Sequence, residues 1–162
     1  MLKIALPNKG RLFDEVKSTL ADAGLEVRAA SERALTASLG GEFVALFVRA
    51  EDIPEFVADG AAQAGITGWD CVSESGRALE SRLDLGFGRC HLAVAARSAA
   101  DVESIADGTA VATSFPRLTE RFFADRGKRV RVAIVSGACE VAPHLGIADV
   151  IVDLVSTGAT LK

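Results

Sequence analysis

The chain has 162 residues, 49% of them hydrophobic and 25% charged, with a formal net charge of −4. That is enough for one globular domain or two small lobes sharing a hinge, it excludes a disordered tract, and it argues against a nucleic-acid surface. The amino terminus is too short in apolar character for a signal peptide, and no apolar run approaches membrane-spanning length.

Leu2 to Leu6 reads as a strand. Asn8-Lys9-Gly10-Arg11 follows it. Leu12, Val16, Leu20 and Ala23 then recur at helical spacing, and Gly24 closes the helix. Residues 35–39 and 43–48 predict two strands joined at Gly40-Gly41. Asp52-Ile53-Pro54-Glu55 predicts a helix start, with Asp52 as cap and Glu55 at the capping-box position. Gly60 ends that helix. Residues 62–66 predict a strand and Gly68-Trp69-Asp70 the loop after it. A helix and two short strands around Gly86-Phe87-Gly88 come next.

From Asp101 the alternation is regular: helix 101–107, strand 109–113, helix 117–126, strand 130–135, helix 139–145, strand 149–155. Such βαβ alternation implies an α/β fold whose mainly parallel sheets are flanked by helices. The pattern changes character between Gly88 and Ala96, which predicts lobes at 1–90 and 91–162. Ligands of such folds sit at the carboxyl ends of the strands, where Lys9, Arg49, Asp70, Thr113 and Asp153 all fall.

The chemistry is concentrated at the end of the chain. A strand carrying Asp153 runs into Ser156-Thr157-Gly158-Ala159-Thr160. Backbone N–H groups and three hydroxyls in such a loop can surround one anion, and the acid just upstream can face a sugar attached to it. That is the chemistry of a ribose-5-phosphate site, although the same residue types also make ordinary surface turns. Lys9 and Arg11 beside Gly10 suit a polyphosphate, and Arg49 can clamp one with bidentate hydrogen bonds. Alone, the first reads as a strand-to-helix loop and the second as a surface arginine paired with Glu51 or Asp52. Gly65 and Gly68 allow close approach of a ligand, or simply begin a helix that Asp70 caps. Trp69 reads as packing, or as a ring that covers a nucleobase. Cys71, Cys90 and Cys139 have no metal or redox spacing and read as reduced thiols of a cytoplasmic protein. His91 and His144 lie far apart, and no P-loop, dinucleotide or nucleophile-elbow motif is present.

In this order, these segments resemble the ATP phosphoribosyltransferase family of histidine biosynthesis. The matching stretches are Ile4 to Leu12, Val48 to Glu55, Ala64 to Asp70, Leu85 to Cys90, Ala112 to Pro116, and Gly146 into the final loop. The resemblance implies a two-lobed, periplasmic-binding-protein-like fold. It implies attack of N1 of the ATP adenine on C1 of phosphoribosyl pyrophosphate, with substrate-bound Mg²⁺ and no dedicated metal cage. Ser156, Thr157, Gly158, Ala159 and Thr160 would hold the 5-phosphate, and Asp153 with Glu140 the ribose hydroxyls. Lys9, Arg11 and Arg49 would meet phosphates, and Asp70 would lie near the substrates. No side-chain nucleophile is expected, because positioning and electrostatics carry such a transfer. The chain departs from the family's pattern at His91 and Cys139.

The resemblance also implies a homodimer or higher oligomer, and a short form served by a separate regulatory subunit resembling histidyl-tRNA synthetase. Relatives continue past the loop with a helix and a return segment that completes the first lobe, so the chain is expected to be truncated. A non-catalytic bilobal binding or regulatory module that keeps the phosphate site is the alternative. A solute-binding protein is disfavoured by the lack of an export signal.

Overall fold

A computed structural model describes residues 1–29 and 34–155. The chain divides into two compact units, Met1–Gly88 and Arg89–Lys162.

The first unit is built on β1 (Leu2–Pro7), α1 (Phe13–Asp22), β2 (Val27–Ala29), β3 (Thr36–Leu39), β4 (Phe43–Val48), α2 (Ile53–Ala58), β5 (Ala64–Gly65) and α3 (Trp69–Ser75). Its sheet has the order β2-β3-β4-β1-β5. β1 runs parallel to β4 and β5, whereas β3 is antiparallel to both β2 and β4. Alternation along the strands separates two apolar faces. Ile4, Leu6, Phe43, Ala45 and Phe47 pack with Leu12, Val16 and Leu20 on the α1 side. Ala5, Leu46 and Val48 pack with Ile53 and Val57 on the α2 side.

The second unit contains β6 (His91–Ala95), α4 (Ala99–Glu103), β7 (Ala110–Thr113), α5 (Pro116–Ala124), β8 (Arg131–Ile134), a 3-10 turn (Cys139–Val141) and β9 (Val150–Val155). The sheet order is β6-β9-β7-β8. β7 is parallel to β8 and β9, and β6 is antiparallel to β9. Val111, Val150 and Val152 form a core with Phe123 on one face. Ala110, Ala112 and Ile151 pack with Cys139 and Ala142 on the other. Among the described residues, four of the seven strand pairings are parallel and each sheet is mixed.

Several expected elements differ. β2 arises where no strand was expected, because β3 offers it a pairing edge. The strand expected before Gly86 is absent and 77–90 contains no strand, since Gly86 and Gly88 take φ of +78° and +66°, outside the extended region. Strand 62–66 shrinks to β5. The helix expected over 101–107 is α4, which begins at Ala99 and ends at Glu103. The helix expected over 139–145 is only the 3-10 turn, because Pro143 has no N–H to continue it. The capping box at α2 does not form. Asp52 is itself helical in backbone and makes no side-chain cap bond, while the Glu55 carboxylate accepts from Arg77 instead. Arg77 also reaches Asp59 at 3.4 Å.

Candidate functional site

Three parallel strands of the first unit end at one edge, so the loops after β1, β4 and β5 are neighbours. The Asn8 N–H donates to the Val48 carbonyl at 2.8 Å, joining the first two loops. The Thr67 hydroxyl donates to the Ala50 carbonyl at 2.7 Å, joining the second and third. Lys9, Arg11 and Arg49 are exposed on this edge.

Arg11 and Asp70 are brought together. The guanidinium lies 3.3 Å and 3.5 Å from the two carboxylate oxygens, and it also donates to the Gly88 carbonyl. The Asp70 side chain is only 10% exposed, that of Arg11 32%. The pair explains Gly68: a Cβ there would collide with the Asp70 carboxylate and stand 3.2 Å from Nη2 of Arg11. Gly65 has a different cause, since a Cβ would run into Ile53 and lie 3.1 Å from Cγ2 of Val57 on α2. Its room is therefore used by helix packing. Cys71 follows Asp70, and its thiol lies 3.8 Å from Oδ2 of that carboxylate. Burial, helped by the Asp70 charge, pushes the Cys71 thiol up to about 11.

In the second unit, β7, β8 and β9 also end at a common edge. Period-two alternation places Asp153 on the same face as Ile151, toward the 3-10 turn that carries Cys139 and Glu140. Asp153 is half-buried, lies opposite Ala93 of β6, and accepts the Leu154 N–H at 2.7 Å. Glu140 is exposed. Cys139 is buried, and its thiol is pushed above the ordinary range by burial first and then by the charges of Asp153 and Glu140, against the opposing Ser114 N–H. Asp153, Glu140, Cys139 and Ser114 thus share one neighbourhood. Ser156, Thr157, Gly158, Ala159 and Thr160, the expected phosphate loop, lie outside the described residues.

Three contacts carry no sequence signal. The Thr67–Ala50 bond spans 17 residues, the Arg11–Gly88 bond spans 77, and the nearness of Cys139 to Asp153 follows only from the turn after β8. A separate cleft of about 280 Å³ lies between α5 and the β6–β9 pair, lined by Leu92, Val94, Leu118, Phe122, Arg126 and Val152 among others. None of the residues singled out for phosphate or ribose lines it. Among the described residues, no three His, Cys, Asp or Glu side chains gather as a metal cluster, and no helix is long and apolar enough to cross a membrane.

The family model described as "HisG: ATP phosphoribosyltransferase" matches residues 49–162. A protein of Gemmatimonas aurantiaca named ATP phosphoribosyltransferase is 66% identical over all of this chain, which covers 58% of that relative. A Methanosarcina mazei protein of the same name is 48% identical over 99% of this chain and 57% of its own length. The chain therefore spans a little under three-fifths of the curated relatives it matches. The solved ATP phosphoribosyl transferase (HisG:HisZ) complex from Thermotoga maritima includes a chain 30% identical to this one, with a TM-score of 0.85 over 99% of this chain and 76% of that one. That likeness gives an α/β fold of the kind the sequence resemblance implied. With the family model covering well over half of its residues, the chain belongs to the ATP phosphoribosyltransferase family.

Proposed function

We propose that the chain is the catalytic region of an ATP phosphoribosyltransferase that performs the first step of histidine biosynthesis. The adenine N1 lone pair forms a bond to C1 of phosphoribosyl pyrophosphate while the C1–oxygen bond breaks and pyrophosphate leaves with that electron pair. The family match over residues 49–162 carries this reading. The described geometry supports it. Positive charge developing at the ribosyl centre and negative charge on the leaving group are answered by placed charges, with no need for a nucleophile. Lys9 and Arg49 are exposed at one strand edge beside the Arg11–Asp70 pair. Asp153 and Glu140 gather near Cys139 at the other unit's strand edge.

In this proposal Asp153 and Glu140 hold ribose hydroxyls, Lys9, Arg11 and Arg49 meet phosphate oxygens, and Asp70 orients Arg11. Residues 156–160 hold the 5-phosphate. Mg²⁺ would enter with the substrate and would neutralise charge on its pyrophosphate, with no dedicated protein cage. The proposed location is the cytoplasm, where unbridged thiols such as those of Cys71, Cys90 and Cys139 are usual. A homodimer or higher oligomer, with a separate regulatory subunit, is proposed by analogy with the HisG:HisZ complex of the solved relative.

The test is incubation of the protein with ATP, phosphoribosyl pyrophosphate and Mg²⁺, with phosphoribosyl-ATP and pyrophosphate followed by mass spectrometry. Stoichiometric appearance of both is expected. Asp153→Asn should weaken phosphoribosyl pyrophosphate binding and blunt discrimination against its 2-deoxy analogue. Binding of both substrates without any product would overturn the transferase reading in favour of a binding module.

A further inference from the structure

We propose that Trp69 is the platform on which the nucleobase of the nucleotide substrate stacks. The inference rests on the phosphoribosyl-transfer reading and names the residue that holds the base in it. Trp69 is the only tryptophan of the chain, and 62% of it is exposed. An indole is the largest apolar surface a residue can offer, so leaving it in water forfeits a large burial term. Its own helix gives no reason for its presence. α3 has no fully buried residue.

Its surroundings do give a reason. Trp69 lies between Gly68 and Asp70, at the strand edge that carries Lys9 and Arg49. The Arg11 guanidinium fixes Asp70 on one side and sits close against Gly68 on the other, so the backbone presenting the indole is anchored. An exposed flat ring on a fixed turn beside several cations matches a ligand that is flat at one end and anionic at the other. An adenine nucleotide has that shape: the base lies on the indole and the phosphates reach the cations. A sugar phosphate without a base would use only the cations.

The test compares ATP with phosphoribosyl pyrophosphate on wild type, Trp69→Phe and Trp69→Ala. Calorimetry gives the affinities, and the difference in emission between wild type and Trp69→Phe isolates the indole. Trp69→Ala should weaken ATP on the order of tenfold, a usual loss when one base–aromatic stack is removed. It should leave phosphoribosyl pyrophosphate within about twofold, by the same stacking argument. Trp69→Phe should keep most of the ATP affinity. ATP should perturb the indole emission and phosphoribosyl pyrophosphate should not. Wild-type ATP affinity in Trp69→Ala overturns the inference while leaving the transferase reading intact. A changed oligomeric state with unchanged ATP affinity also overturns it, and makes Trp69 a protein contact. Failure of wild type to bind either substrate overturns both readings together.

Discussion

At the scale of single residues, the strand edge of the first unit turns on how Asp70 is neutralised. The Asp70 carboxylate is 90% covered, and Arg11 is the charged donor that faces both of its oxygens. Arg11→Ala should therefore lower stability by about 1–3 kcal/mol, the usual penalty for an orphaned buried polar group. Arg11→Lys restores the charge but not the planar fork that reaches both Asp70 and Gly88, so it should recover only part of the loss. Urea denaturation of the three proteins decides this, and an unchanged midpoint in Arg11→Ala would show the pair to be idle. Cys71 makes a second prediction. Its folded thiol ionises near 11, above the ordinary thiol value of 9.0. As pH rises the unfolded chain loses that proton first, so its contribution to stability is complete below pH 9 and falls away toward pH 11. Solvent reaches part of this thiol and screens the effect, so Cys71→Ala should flatten that part of the stability profile by about 1 kcal/mol. Identical slopes in wild type and variant between those limits would refute the shift.

At the scale of elements, the two helix starts make opposite cases. Asp52 has the sequence of an N-cap, yet its side chain caps nothing, because Glu55 turns away to Arg77 and Asp52 adopts helical backbone angles. The start of α5 has no cap signal, yet it is tied down by a buried hydroxyl. Thr113 at the end of β7 accepts the Phe115 N–H at 2.9 Å and the Thr119 hydroxyl at 3.3 Å. Asp52→Ala should then change stability by less than about 0.5 kcal/mol, the range of ordinary surface substitutions. Thr113→Val keeps the shape but orphans two donors and should cost about 1–3 kcal/mol, with Thr113→Ser much closer to wild type. Thermal melts of the three variants rank them, and a reversed order would mean that the local hydrogen bonds do not govern these junctions. The motif at α2 was legible and misleading, whereas at α5 the helix start was legible to within a residue and only its hydroxyl tie was not. At α2 the cause is a partner 22 residues away, which no local pattern contains, whereas at α5 it is a hydroxyl two and six residues from its donors, whose burial only the packed strand decides.

At the scale of the whole molecule, a ligand that binds only the folded chain must stabilise it by mass action. Phosphoribosyl pyrophosphate at a hundred times its dissociation constant should add about 2.7 kcal/mol to the unfolding free energy. At the same concentration Asp153→Asn should show a smaller gain, read from denaturation curves with and without ligand. An equal gain would remove Asp153 from the proposed ribose site. The elements whose periodicity is strong are readable from the chain before any packing is known. These include the strand at residues 2–6, the amphipathic run from Leu12 to Leu20, the hairpin around Gly40-Gly41 and the alternation through the second unit apart from the helix expected over 139–145. The same patterning placed Lys9, Arg49 and Thr113 at or just past strand ends, because period-two runs bounded by glycine and polar residues mark such ends locally, whereas Asp70 falls in α3 and Asp153 inside β9. Folding in three dimensions is what binds Arg11 to Asp70 and Gly88, makes Gly65 give room to α2, and brings Cys139 into the surroundings of Asp153. Strand pairing and helix packing bring those atoms together across tens of residues, and a one-dimensional pattern records what each segment prefers but not which segment it will meet.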